Sequence, residues 1–258
     1  MAFEREGFLT LGLDTATEKR SVAVFRGARQ CSVCVSDSSD GGSANVLGDI
    51  ERALEESSAG LEEFELFAAA SGPGSFTGLR AGLATLKGLA ATLDKPVVGV
   101  ETLHAVAHAA RPAERLVALI PAGRGEVFAQ LLSVSREGEV TELEDPSHVP
   151  PARMVERIAR LGGGVKWAGG GAHKFVELIR GGAASSGIRF VAAPGANEVA
   201  SGTNEEAAED EWVVAPLVEA LAPSVVVLAR RKFLRGEASS AESLRAIYVR
   251  PSDAELKS

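Results

Sequence analysis

Asp14-Thr15-Ala16-Thr17 is the segment whose residue types come nearest to chemistry. A carboxylate at the end of an apolar run, with two hydroxyls beside it, can order the water shell of a metal ion and donate to phosphate oxygens. The same residues also make an ordinary turn in which Asp14 accepts local backbone hydrogen bonds. Asp14, Thr15 and Thr17 are therefore candidate nucleotide-binding residues, with the plain turn as the alternative. His104 and His108 stand four apart on a helical stretch, the spacing at which two imidazoles can share a metal. Their company is poor: Glu101 is the nearest carboxylate, and His148 and His173 are remote in sequence. No metal site is expected. Cys31 and Cys34 lie on a strand pattern, where residues three apart point to opposite faces, and no second pair completes a zinc tetrahedron. They read as two half-buried thiols. With no Gly-x-Ser-x-Gly elbow, and no His or Cys context for a nucleophile, no catalytic residue is assigned.

The segment from Gly72 to Gly82 is the most informative. Gly74, Gly78 and Gly82 fall at four-residue intervals, and Ala81, Ala84, Thr85 and Gly88 continue the small side chains. Glycine inside a helix costs about 1 kcal/mol relative to alanine, so close approach of another backbone should offset it. The reading adopted is an exposed or partly exposed helix-packing face. A tight loop leading to a helix buried within its own domain is the alternative. The Gly-Pro-Gly-Ser turn also opens a helix whose first N–H groups could meet phosphate. It is no Walker loop, since Lys87 lies well inside the helix. Gly162 to Gly164 and Gly169 to Gly171 form glycine clusters; in actin-like folds a glycine-rich turn of the second lobe lies under the adenosine, but glycine before a helix is equally a turn device.

Phe8 to Leu13, Ser21 to Phe25 and Gln30 to Val35 read as a three-stranded meander. A helix from Ser43 to about Ser57 carries Leu47, Ile50 and Leu54 at helical spacing, with Ser43 as its cap. A buried strand over Phe64 to Ala70, a helix to about Leu93 and a strand over Pro96 to Val100 follow. This order is that of the ribonuclease-H-like half of actin, Hsp70 and sugar kinases. Beyond Arg111, strands are expected over Arg115 to Ile120, Glu126 to Val134, Val165 to Ala168 and Ile188 to Ala192. Residues 195–211, small and acidic, read as a mobile loop. Helical spacing resumes from about Val213 to Leu234, and no internal repeat is strong enough to use.

At 258 residues with 45% hydrophobic content, the chain is long enough for two lobes. A net charge of −8 argues against a surface that itself clamps a polyanion. No apolar run suits a membrane span or a signal-peptide core, so the cytoplasm is the expected location.

Taken together, residues 11–17 (Leu-Gly-Leu-Asp-Thr-Ala-Thr), 69–90 (Ala-Ala-Ser-Gly-Pro-Gly-Ser-Phe-Thr-Gly-Leu-Arg onward) and 96–103 (Pro-Val-Val-Gly-Val-Glu-Thr-Leu) resemble the TsaB (YeaZ) family. The middle stretch is the specific one. The match weakens through residues 123–128, where the family has an Asp-Ala-Arg-type turn before Glu-Val-Tyr, and in the tail from Tyr248 to Leu256. The resemblance implies an α/β, actin-like (ASKHA, ribonuclease-H-like) two-lobed fold with a reduced second lobe. Residues 1–110 would form the N-terminal lobe carrying the partner interface, and 111–258 a smaller C-terminal α/β lobe. It also implies a non-catalytic scaffold that pairs with TsaD, the related catalytic subunit, works alongside TsaE, and supports threonylcarbamoyl transfer to adenosine 37 of tRNA. The tRNA would be met only through the complex, ATP or ADP would belong to the complex or its interface, and a homodimer would form in isolation.

In the family the first two helices build the interface. Here that implies Leu47 and Ile50 on one helix and Gly78, Arg80, Ala81 and Leu83 on the other, with Gly74 and Gly82 completing the stripe. TsaD-like chains carry Val-Asn-His-Leu-Glu-Gly-His after the equivalent strand; aligning Val100 and Leu103 puts the metal histidines at Thr102 and Val106, so both ligands are missing. His104 and His108 are displaced by two positions, about 200° around a helix, and do not replace them. The competing functions are an independent actin-like ATPase or kinase using Asp14, and a metalloprotease.

Overall fold

The computed structural model describes residues 7–37, 45–192 and 210–249. Three strands open the first sheet: β1 (Leu9–Asp14), β2 (Lys19–Arg26) and β3 (Arg29–Asp37) pair antiparallel in sequence. Helix α1 (Asn45–Ser57), β4 (Phe64–Gly72), α2 (Phe76–Leu93) and β5 (Val97–Glu101) then add two strands parallel to β1. The resulting order, β3-β2-β1-β4-β5, is the ribonuclease-H-like arrangement that the sequence implies. Because β1 is its middle strand, all six of its residues are buried: Leu9, Leu11 and Leu13 on one face, and Thr10, Gly12 and Asp14 on the other.

Leu9, Leu11 and Leu13 point to one side, where they meet Val46, Ile50 and Ala53 of α1 and Leu83, Leu86 and Ala90 of α2. The other face, with Ala23 and Phe25, is covered by Ala222 and Val226 of α7 (Ala222–Leu234). Gly12 is required there, since a β-carbon would overlap Val226 Cγ2 and stand 3.0 Å from Ala222 O. Helix α1 is tied down by charge as well. Asp49 is buried and meets Arg20 Nε at 3.1 Å, while its other oxygen accepts from the Ser36 hydroxyl at 2.6 Å and from Arg52 at 3.1 Å. Three donors thus meet its two oxygens, the pairing a buried carboxylate needs.

The chain next forms α3 (Thr102–Ala109), β6 (Ala113–Gly123), β7 (Glu126–Val134), β8 (Val140–Glu142) and β9 (Ser147–Val149). It continues through α4 (Pro151–Leu161), β10 (Val165–Ala168), α5 (Gly170–Lys174), α6 (Val176–Ser185), β11 (Arg189–Ala192) and β12 (Glu211–Val214). The second sheet is ordered β11-β12-β10-β6-β7-β8, with β9 on β7. Its run β8-β7-β6-β10-β12 repeats the strand order of the first sheet, antiparallel through β6 and parallel beyond it. Trp167 and Trp212, 5.2 Å apart, are fully buried at its centre.

Two compact units result: residues up to Ala105 with Glu219–Ile247, and Val106–Val218 with Tyr248 onward. This differs from a cut after residue 110 that assigns all of 111–258 to the second lobe. Residues 219–247 return to the first unit because its sheet needs α7 to cover an apolar face. The helical spacing expected from Val213 is also corrected. Val213 and Val214 belong to β12, and the helix starts only at Ala222. Pro216 disfavours helical backbone at the residue before it, and Pro223 sits at the helix start, where no N–H is needed. Of the acidic stretch 195–211, residues 195–209 lie outside the described residues, as do Ser43 and the tail from residue 250; Glu211 begins a strand. Finally, Cys31 and Cys34 do not part to opposite faces. A register shift between Val24 and Phe25 leaves Cys31 without a strand partner, and both thiols lie against the same apolar cluster.

Candidate functional site

Asp14 ends β1 fully buried. Its Oδ1 accepts from Ala16 N at 2.8 Å, and its Oδ2 meets the Thr17 hydroxyl, which also lies 3.1 Å from Lys19 O. Burial pushes this carboxyl up to about pKa 6, against the lowering effect of the Thr17 hydroxyl and the Ala16 and Thr17 N–H groups. The acceptors of Asp14 are thus taken up within its own turn. Thr15 is buried beside it, and Ala16 O accepts from Ser75 N at 2.8 Å.

What closes this turn is α2 with the Gly74-Ser75 pair that leads into it. A β-carbon on Gly74 would overlap Ala16 O, one on Gly78 would overlap Thr15 O, and one on Gly82 would overlap Thr15 Oγ1, with Thr15 Cγ2 at 2.9 Å. The close approach that the glycine stripe permits is therefore intramolecular. This corrects the reading of Gly74, Gly78 and Gly82 as a face for a partner: the neighbouring backbone is the β1–β2 turn of the same unit. Ser75 caps the helix, its hydroxyl accepting from Gly78 N at 3.2 Å. At the carboxyl end of β4, Gly72 at φ +116° lies under Ile247 O, and Ile247 N donates to Ser71 O at 2.7 Å.

An actin-like fold implies ATP or ADP at such a turn. The residues present do not fit it: Asp14 and Thr15 are buried under α2, and the N–H groups of Ala16 and Thr17 are turned to Asp14 instead of outward. The glycines at 169–171 likewise pack on β6, Gly169 against Leu119 O and Val106 Cγ1 and Gly171 against Leu119 Cβ.

Ile50 and Leu83, expected at an interface, belong to the core. Leu47 is 52% exposed, Arg80 is exposed and Ala81 half-buried. The open side of α2 includes Thr77, Arg80, Ala84, Gly88 and Ala91, and nothing lies within 4 Å of a β-carbon placed on Gly88. Phe76, at 53% exposure, stacks under the Arg80 guanidinium at 3.9 Å. Ala84 and Gly88 belong to the small-residue stretch read from the sequence, but they face away from the Gly74, Gly78 and Gly82 stripe with which that reading grouped them. Phe76 was not singled out from sequence, because a lone aromatic beside the glycine stripe carries no sign of exposure.

Of the two histidines on α3, His104 Nδ1 lies 3.6 Å from Glu101, which Lys232 holds at 2.6 Å, whereas buried His108 contacts Arg111 at 3.2 Å. They share no ligand sphere. Thr102 is buried with its hydroxyl accepting from Gly72 N at 3.1 Å, and Val106 is buried against Gly169. Among the described residues no group of three His, Cys, Asp or Glu side chains could hold a metal ion, and no helix is long and apolar enough to cross a membrane.

Residues 37–257 match the family model described as TsaD, tRNA N6-adenosine threonylcarbamoyltransferase. The chain is 31% identical over 159 residues to the tRNA threonylcarbamoyladenosine biosynthesis protein TsaB of Escherichia coli K12, covering 59% of this chain and 67% of that one. It is 38% identical over 122 residues to the TsaB of Haemophilus influenzae, covering 46% of this chain and 51% of that one. Among solved structures it resembles YeaZ from Pseudomonas aeruginosa with a TM-score of 0.71 and 25% identity, over 94% of this chain and all of the other.

Proposed function

The chain belongs to the TsaB (YeaZ) family of tRNA threonylcarbamoyladenosine biosynthesis proteins, within the wider TsaD family, and from that premise we propose that it is a non-catalytic partner subunit. It binds a catalytic subunit of the TsaD type and supports threonylcarbamoyl transfer to tRNA, with TsaE as a further component and tRNA met only through the complex. The observation that carries this reading is the outward side of α1 and α2. Leu47 on α1 and Phe76 on α2 are each about half exposed, and α2 carries the small residues Ala84 and Gly88 on its outward side while its opposite side is firmly seated. Large apolar anchors beside small residues are what a helix-to-helix contact requires.

Two further observations support the non-catalytic part. Thr102 and Val106 are packed side chains with no capacity to bind a metal, and the Asp14 turn is closed by its own helix. Any ATP or ADP then belongs to the complex, held by another subunit or at a subunit interface. Co-expression with the TsaD-type protein of the same organism, followed by size-exclusion chromatography, tests the proposal. A stable heterodimer is expected, with homodimer in its absence. Separate elution at micromolar concentrations, with and without ATP, overturns it.

A further inference from the structure

We infer that the Asp14–Thr17 turn is a positioning device for the partner-facing helix, with Thr15 as the residue that sets how far α2 stands off the sheet. This rests on the reading of the outward side of α2 as the partner surface. Gly74, just ahead of the helix, and Gly78 and Gly82, one turn apart within it, each meet a different atom of the turn. Gly74 faces Ala16, Gly78 faces the Thr15 carbonyl, and Gly82 faces the Thr15 side chain. The contact with Gly82 is made by side-chain atoms, Oγ1 and Cγ2, so residue 15 can tune it; the other two are made largely by backbone.

Position along the helix turns this into a functional statement. Arg80 and Ala84 are each two residues from Gly82, about 200° around the helix. They therefore lie on the side opposite the seat, and bulk added between Gly82 and Thr15 pushes Arg80 and Ala84 outward along the normal of the partner face. The helix has little means to absorb that push by sliding. Leu79, Leu83 and Leu86 are buried on the sheet side, and Lys87 Nζ donates to Leu244 O at 3.3 Å in the segment that lies along β5. The turn that could have held a phosphate is thus used to fix the depth of an interface.

The test measures affinity for the TsaD-type partner, thermal midpoint and amide exchange across residues 76–84. Gly82→Ala is expected to weaken binding about tenfold or more, because interface geometry changes along its normal. Thr15→Ala removes the two nearest atoms and loosens the seat; it should weaken binding about threefold with faster exchange in α2. The double variant G82A/T15A should return to the level of T15A, a rescue that a merely structural cavity at residue 15 would not produce. Gly88→Ala, on the open side with room for its methyl, tests the surface without touching the seat. The inference is overturned if G82A binds like the wild type, or if a folded G82A/T15A binds no better than G82A. Should G82A alone not fold, T15A decides: unchanged exchange and unchanged affinity overturn it. Failure of the wild-type chain to bind the partner at all overturns the function proposed above instead, and is distinguished by that control.

Discussion

Asp14 is fully buried among hydroxyl and N–H dipoles, and the proton count around Thr17 bears on its charge. The Thr17 hydroxyl has one proton and two oxygens beside it, Asp14 Oδ2 and Lys19 O. A protonated Asp14 can donate to Thr17 and free that proton for the Lys19 carbonyl, which satisfies all three groups. Burial raises the carboxyl to about pKa 6 from an ordinary value of 3.8, so between those values the folded state binds a proton that the unfolded state does not. The penalty for burying the charge is present in full above pH 6 and is relieved as pH falls towards 4. About two pKa units correspond to a change on the order of 3 kcal/mol. Glu101 acts in the other direction: burial raises it, but hydrogen bonding and charge from Lys232 outweigh that and leave it lowered, so its contribution is lost on acidification. The Asp14 contribution is isolated by comparison with Asp14→Asn, which cannot titrate. Urea unfolding at pH 7.5 and pH 4.5 should show the wild type gaining about 2–3 kcal/mol relative to Asp14→Asn. An offset between the two that does not change with pH would refute this account.

Helix α2 separates stability from binding at adjacent residues. Leu83 is buried against β1 and α1, whereas Ala84 faces outward. Leu83→Ala should cost about 2–4 kcal/mol of stability by loss of burial and the cavity left behind. Ala84→Trp should leave stability within about 1 kcal/mol, as a surface change, while reducing partner affinity about a hundredfold. Denaturation and binding measured on both variants check the pair; loss of binding only where stability is lost would remove the outward face as an interface. The elements themselves were largely legible. Strands β1 to β5 and helices α1 and α2 follow from alternation, helical spacing and the Gly-Pro-Gly-Ser break. Periodicity also places a small-residue stripe on α2, but it carries no sign for which side of a helix faces its own fold. That depended on Thr15 and Ala16, about sixty residues away in sequence. Buried Ile50 and exposed Leu47 are equally apolar, and only the position of the sheet distinguishes them. Helix α4 was missed although Met154, Val155 and Ile158 form its buried stripe, because three arginines and Glu156 dilute the apolar signal around them.

At the scale of the molecule, the two sheets share a strand order that no sequence repeat announces, since each position is filled by different residues: the core of one is leucine-rich, and the other is built on Trp167 and Trp212. The return of residues 219–247 to the first unit was equally hidden, because a helix records its amphipathic stripe and not its address. Yet that return is what completes the first unit. Val226 occupies the space Gly12 leaves on β1, Ser21 Oγ accepts from Leu221 N at 3.1 Å and Ala222 N at 3.0 Å, and Ser239 exchanges two backbone hydrogen bonds with Val97. Removing the segment would expose Ala23 and Phe25 and leave one face of the central strands without cover, a large apolar loss for a unit of this size. A chain ending at Val218 should therefore lose order in residues 7–105, the part farthest from the truncation in sequence, while Val106–Val218 keeps its protected amides. Hydrogen exchange resolved by unit measures this directly. Adding a peptide of residues 219–247 should restore protection to β1 and β2, since the missing contacts are noncovalent packing and a few backbone bonds. Persistent protection of β1 in the truncated chain would mean that the sheet is stable with α1 and α2 on one side alone.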